Sequence, residues 1–79
     1  MINEPVPGQR TPRLHIGDRI RTLRVTQDKT LQDIAGASEL SRSMISKIEN
    51  NKTVPSVATL VKIAKVLGTN VSSLLEQDG

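Results

Sequence analysis

The stretch SRSMISKIENNKTVPS, residues 41 to 56, begins as a helix with two unlike sides and ends abruptly at a proline. At about 100° per residue from Arg42, the apolar Met44, Ile48 and Ile45 fall in one arc at roughly 200° to 300°. Arg42, Ser46, Asn50, Ser43 and Lys47 fill the opposite arc. One side suits a core, and the other carries two cations, two hydroxyls among its serines and an amide. Ser41 is placed to cap the helix. Asn50 to Pro55 reads as a loop, because Asn-Asn tolerates left-handed backbone and Pro55 disfavours helix before it.

Upstream, Thr30 begins another helix. Its hydroxyl is a cap, and Asp33 three residues later approximates a capping box. Leu31, Ile34 and Ala35 face inward until about Ser38, so only Glu39 and Leu40 separate this helix from the next. Two helices joined by so short a turn cross steeply and need small side chains at the crossing. Ala35, flanked by Gly36 and Ala37, supplies them; Ile45 and Ile48 dock there, and Leu40 fills the angle. This geometry turns the polar face of Arg42 to Lys47 outward. A DNA major groove, about 12 Å wide, accepts one such helix.

The remaining chain completes an all-α domain of five short helices. The first runs from about Ile16 to Val25, with Ile16, Ile20 and Leu23 at helical spacing. Ser56 caps a fourth, whose Leu60, Ile63, Ala64 and Leu67 form an i, i+3, i+4, i+7 stripe closed by Gly68. Asn70 caps a last helix carrying Val71, Leu74 and Leu75. Residues 1–13 hold three of the four prolines and little that is apolar, and read as a mobile arm before a domain at 14–79. Arg10 and Arg13 of that arm could reach a minor groove, although a leader without a role is the better account of them.

Composition narrows the function classes. Seventy-nine residues without cysteine exclude a disulfide framework or a thiolate metal site and are consistent with the cytoplasm. No apolar run approaches the roughly 18 residues of a membrane span, and no signal-peptide pattern opens the chain. The absence of any aromatic residue argues against the stacking surfaces of most single-strand and RNA binders. A net charge of +3 permits an anionic partner without demanding one. His15, the sole histidine, has no ligand cluster around it, and no serine has a nearby base to activate it. The reading is therefore not an enzyme, with no cofactor, no metal and no small-molecule site in this chain.

From Thr30 to Leu75 the sequence TLQDIAGASELSRSMISKIENNKTVPSVATLVKIAKVLGTNVSSLL resembles the lambda-repressor-like (Xre/Cro-type) helix-turn-helix family. Ala35, Ile45, the IEN of 48–50, the PS before an apolar helix and the LG at 67–68 carry the resemblance, which covers about Ile16 to Leu75. It implies a five-helix DNA-binding domain of a bacterial or phage transcriptional regulator, commonly a repressor, that binds double-stranded DNA as a homodimer on an inverted repeat. By the same resemblance Arg42, Ser43 and Lys47 read bases, with Ser46 a weaker candidate on that face. Arg42 suits a bidentate pair with guanine O6 and N7. Thr30, Ser41, Asn50, Asn51 and Lys52 hold phosphates. Arg24 and Glu49 match a position pair that forms a structural ion pair.

Three positions depart from the family pattern. Glu39 occupies a turn position often held by glycine, at a cost of about 1 kcal/mol if the backbone is left-handed. Asn51 replaces another glycine, and Lys29 stands where an apolar residue often precedes the second helix. A polar face alone is usually a solvated face; the helix-turn-helix context is what turns it toward DNA. The rival reading is a protein-interaction or antitoxin-type module, which would offer apolar or aromatic anchors on the outer face of the third helix. Dimerisation would use the edge of the last helix, around Val71 to Leu75, or belong to a longer protein of which this is the amino-terminal piece.

Overall fold

The structure, a computed structural model, describes residues 16–75, so the arm at 1–13 and His15 lie outside the described residues. Five helices follow one another, and no strand occurs among the described residues: α1 Ile16–Thr26, α2 Leu31–Ser38, α3 Arg42–Glu49, α4 Val57–Val66 and α5 Val71–Leu75. Helix α3 lies against α1 and α2, α4 against α2 and α5, and α5 returns to α1. The core is almost wholly aliphatic. Ile20, Ile34, Ile45, Ile48, Ile63 and Leu74 are fully buried, one or two from each helix. Each such side chain contributes about 1.5–3 kcal/mol by leaving water, so α3 is held chiefly by its two isoleucines.

The helices are joined by a repeated device. Asp28, Glu39, Asn51 and Gly68 all adopt left-handed backbone, with φ of 62°, 60°, 57° and 72°. After each of the first four helices, the residue following the left-handed one donates its N–H five residues back: Lys29 to Arg24, Leu40 to Ala35, Lys52 to Lys47 and Thr69 to Ala64, at 2.9–3.0 Å. These bonds satisfy carbonyls that the helix end would leave open. In three joints an N-cap comes next but one: Asp28–Lys29–Thr30, Glu39–Leu40–Ser41 and Gly68–Thr69–Asn70. Thr30, Ser41 and Ser56 accept the N–H of Asp33, Met44 and Thr59, and Asn70 accepts that of Ser73.

Helix α1 closes one residue later than its periodicity suggests, at Thr26, and the side-chain amide of Gln27 donates its Nε2–H to the Leu67 carbonyl at 2.8 Å. That bond ties the end of α1 to the end of α4. The larger correction concerns α3. Its inner arc runs from Ile48 through Ile45 to Glu49, which is only 5% exposed, while Met44 is 39% exposed. The expected inward packing of Met44 therefore fails: Glu49 takes an inner position because Arg24 neutralises it, and Met44 is left at the outer margin.

Candidate nucleic-acid interface

The outer side of α3 starts at its first residue. Arg42, Ser43 and Lys47 are exposed, Ser46 is half-buried, and neither cation has an ion-pair partner among the described residues. Ser41 accepts the Met44 N–H at 3.0 Å through its hydroxyl oxygen, which leaves its own O–H to donate outward. Thr30 is built in the same way. Its hydroxyl accepts from Asp33 at 3.0 Å, and the Asp33 carboxylate accepts the Thr30 N–H at 2.8 Å, completing the capping box.

That box has a pH signature. The Thr30 backbone bond, then the Thr30 hydroxyl, hold the Asp33 carboxyl below its ordinary value of 3.8. A depressed carboxyl stabilises the fold above its unfolded pKa, and the contribution is lost as pH falls through the lower folded value. The Thr30 amide resonance should therefore stay constant on acidification to about pH 4 and move only below it. Movement at higher pH would show that the box is not formed.

An open cleft of about 620 Å³ joins these two helix starts, and Lys29, Thr30, Gln32 and Arg42 line it together with Arg24. Lys29 and Gln32 were not assigned to the interface by the sequence. A glutamine in the first turn of α2, one residue past the N1 position, was the available signal. At the other end of α3, Asn50 donates its side-chain amide to the Ser46 carbonyl at 2.9 Å, and Asn51 donates to Asp18 at 3.4 Å. Both amides are thus engaged within the protein, whereas the exposed Lys52 side chain has no such partner among the described residues.

Beneath the polar face, Arg24 fixes α3 to α1. Its Nε and Nη2 donate to the two Glu49 carboxylate oxygens at 2.7 and 2.9 Å, and Nη1 donates to the Lys29 carbonyl at 2.9 Å. The hydrogen bond to Glu49 raises the Arg24 pKa, burial opposes this, and the carboxylate charge adds to it. The guanidinium therefore remains charged at any working pH. Its bond to Lys29 also holds the corner where an apolar side chain is missing.

Glu39 sits at the turn with φ 60° and ψ 36°. Its carboxylate is directed toward Lys62 on α4, at 3.9 Å, an exposed pair that contributes little. Replacing Glu39 by glycine should raise stability by about 1 kcal/mol, since only the residue with a Cβ is strained in this region. Urea denaturation followed by far-UV circular dichroism checks this; an unchanged or lower midpoint would place the strain elsewhere.

A short capped helix, a three-residue joint and a second helix with a polar outward face define a helix-turn-helix domain. The family model for helix-turn-helix matches residues 20–74. The chain belongs to this family, in its lambda-repressor-like (Xre/Cro-type) branch. It is 41% identical over 59 residues to the HTH-type transcriptional regulator DdrOP3 of Deinococcus deserti, covering 75% of this chain and 46% of that protein. It is 33% identical over 63 residues to the immunity repressor protein of Bacillus phage phi105, covering 80% and 44%. The crystal structure of the master regulator for biofilm formation SinR in complex with DNA aligns with a TM-score of 0.73 at 35% identity, covering 77% of this chain and 98% of that one. The SinR DNA-binding domain from Bacillus subtilis aligns with a TM-score of 0.75 at 33% identity, covering 81% and 96%. The chain spans about half the length of the two curated relatives, 46% and 44%. No described helix is long and apolar enough to cross a membrane.

Proposed function

We propose that the chain is the sequence-specific, double-stranded-DNA-binding part of a cytoplasmic transcriptional regulator, acting as a repressor by occupying its operator on the nucleoid. One observation carries this reading: the outer side of α3 presents Arg42, Ser43, Ser46 and Lys47 beside two capped helix starts. Helix α3 enters the major groove. Arg42 pairs with a guanine edge, and Lys47 reaches a second base or a phosphate. The Thr30 and Ser41 hydroxyls, the free amides at the start of α2, Gln32 and Lys29 receive the phosphate backbone on one side of the groove. Lys52 receives it on the other side, with the Asn50 and Asn51 side chains as further contacts after a change of partner. Two copies bind an inverted repeat with recognition helices about 34 Å apart, one turn of DNA.

The relatives support this reading, being named as regulators and a repressor, with SinR solved on DNA. Of the residues outside the inner arc of α3, only Met44 is apolar, which leaves a protein-docking role for that face without an anchor cluster.

Selection from a random duplex pool at moderate salt tests the proposal, and an enriched inverted repeat is the expected result. On the recovered duplex, Arg42→Ala should cost about 1–3 kcal/mol and relax preference at one base pair. Lys52→Ala should weaken all sequences alike and lower the salt slope by about one. Unchanged discrimination in the Arg42 variant would remove it from base readout, and a folded domain that enriches nothing would overturn the proposal.

A further inference from the structure

Five residues of α3 lie outside its inner arc, and four of them are polar: Arg42, Ser43, Ser46 and Lys47. The fifth is Met44, which is 39% exposed. Its backbone is fixed, because its N–H donates to the Ser41 hydroxyl at 3.0 Å. At about 100° per residue from Arg42, Met44 lies at about 200°, next to Lys47 at about 140°. Arg42 is on the other flank, where it lines the cleft with Thr30 and Gln32 at the start of α2.

We propose that Met44 is a specificity-determining residue that reads the C5-methyl group of thymine in the major groove. This rests on the DNA-binding reading above and adds a base that the polar side chains leave unread. In the major groove an A·T pair is recognised at adenine by an asparagine or glutamine amide, or at thymine by apolar contact with its methyl. Both asparagine amides near α3 are held within the protein. Asn50 donates to the Ser46 carbonyl at 2.9 Å, and Asn51 to Asp18 at 3.4 Å. Arg42 and Lys47 carry only donors, which suit guanine. An A·T pair is then left to its methyl group, and Met44 is the apolar side chain that α3 turns outward. A helix about 10–12 Å across fills a groove about 12 Å wide, so its flanks as well as its centre come close to the DNA. From that flank an unbranched side chain with three rotatable bonds and a polarizable sulfur can fit itself to a methyl group.

The test uses the duplex recovered by the selection described above. Each thymine is replaced in turn by uracil, which deletes only the methyl. At one position in each half-site the loss should be about three- to fivefold, the value of one buried carbon. In Met44→Ala the same replacement should cost less than about 1.5-fold, because the partner is gone. Met44→Leu, apolar and close in volume, should keep the preference, and Met44→Gln, similar in length but polar, should lose it. Each ratio is taken within one variant, so a change in stability cancels. At the same position 5-methylcytosine should bind better than cytosine when Met44 is present and not when alanine replaces it. That arm separates the methyl from the thymine O4.

A duplex on which no uracil weakens binding would overturn the proposal and leave DNA binding intact. A uracil penalty that survives in Met44→Ala would assign the methyl to another residue and overturn it as well. A selection that enriches nothing would remove this inference together with the reading beneath it.

Discussion

Replacing Arg24 by alanine should remove about 3–5 kcal/mol of stability, the range found when one partner of a buried ion pair is deleted. The loss is not that of a contact alone. Glu49 is 5% exposed, both of its carboxylate oxygens are bonded to Arg24, and the Lys29 carbonyl takes the third donor. Without Arg24 a carboxylate is left inside the α1–α3 contact with no cation. A domain of about 60 residues has about 3–9 kcal/mol in all, so much of the variant should be unfolded at room temperature. Urea denaturation monitored by far-UV circular dichroism measures this directly. Removing Glu49 as well should recover part of the loss, since no charge is then stranded. A single-variant loss under about 1 kcal/mol would mean that water reaches Glu49 and that the pair is only a surface bridge.

Gly17→Ala should cost about 2–3 kcal/mol and lower Tm by about 10–20 °C, in spite of alanine's better helix propensity. Gly17 is buried on α1 where α3 ends. A Cβ there would collide with the Ile48 carbonyl, and would lie 2.6 Å from Asn51 Oδ1 and 2.9 Å from the Glu49 carbonyl. The Asn51 side chain can turn away, but the two carbonyls belong to the backbone of the last turn of α3. Relief therefore requires α1 and α3 to separate, which also moves Arg42 and Lys47 relative to the Thr30 cap. Calorimetry gives the stability change, and binding to the selected duplex should weaken in parallel. A neutral outcome would show that the end of α3 yields easily.

These two residues mark the difference between what is legible in the chain and what is not. The caps are legible, because a hydroxyl or amide ahead of an apolar period has one economical use; Thr30, Ser41, Ser56 and Asn70 all serve it. The inward stripe of α4 is legible for the same reason of period. Gly17 is not, since a lone glycine in a helical pattern looks like a weak point until the carbonyl facing it is known. Gln27 reaches a carbonyl 40 residues away, and local pattern carries no trace of that. Asp28 is left-handed without being glycine, Met44 lies at the outer margin of the α3 arc, and Glu49 takes an inner position that the core accepts only as part of a pair. At the interface, the residue types of α3 were readable, but the engagement of Asn50 and Asn51 and the nearness of Lys29 and Gln32 depend on where the helices meet.

The unequal halves of α3 bear on how such a domain changes over generations. Ile45, Ile48 and Glu49 anchor the helix, and each has a partner that would have to change with it. Arg42, Ser43 and Lys47 have no side-chain partner among the described residues, so substitutions there are nearly free of folding cost. Preference for a target can therefore drift, or be redirected by a small library varied at those three positions, while the scaffold stays constant. Two copies of the gene could part ways in what they recognise without either passing through an unfolded ancestor.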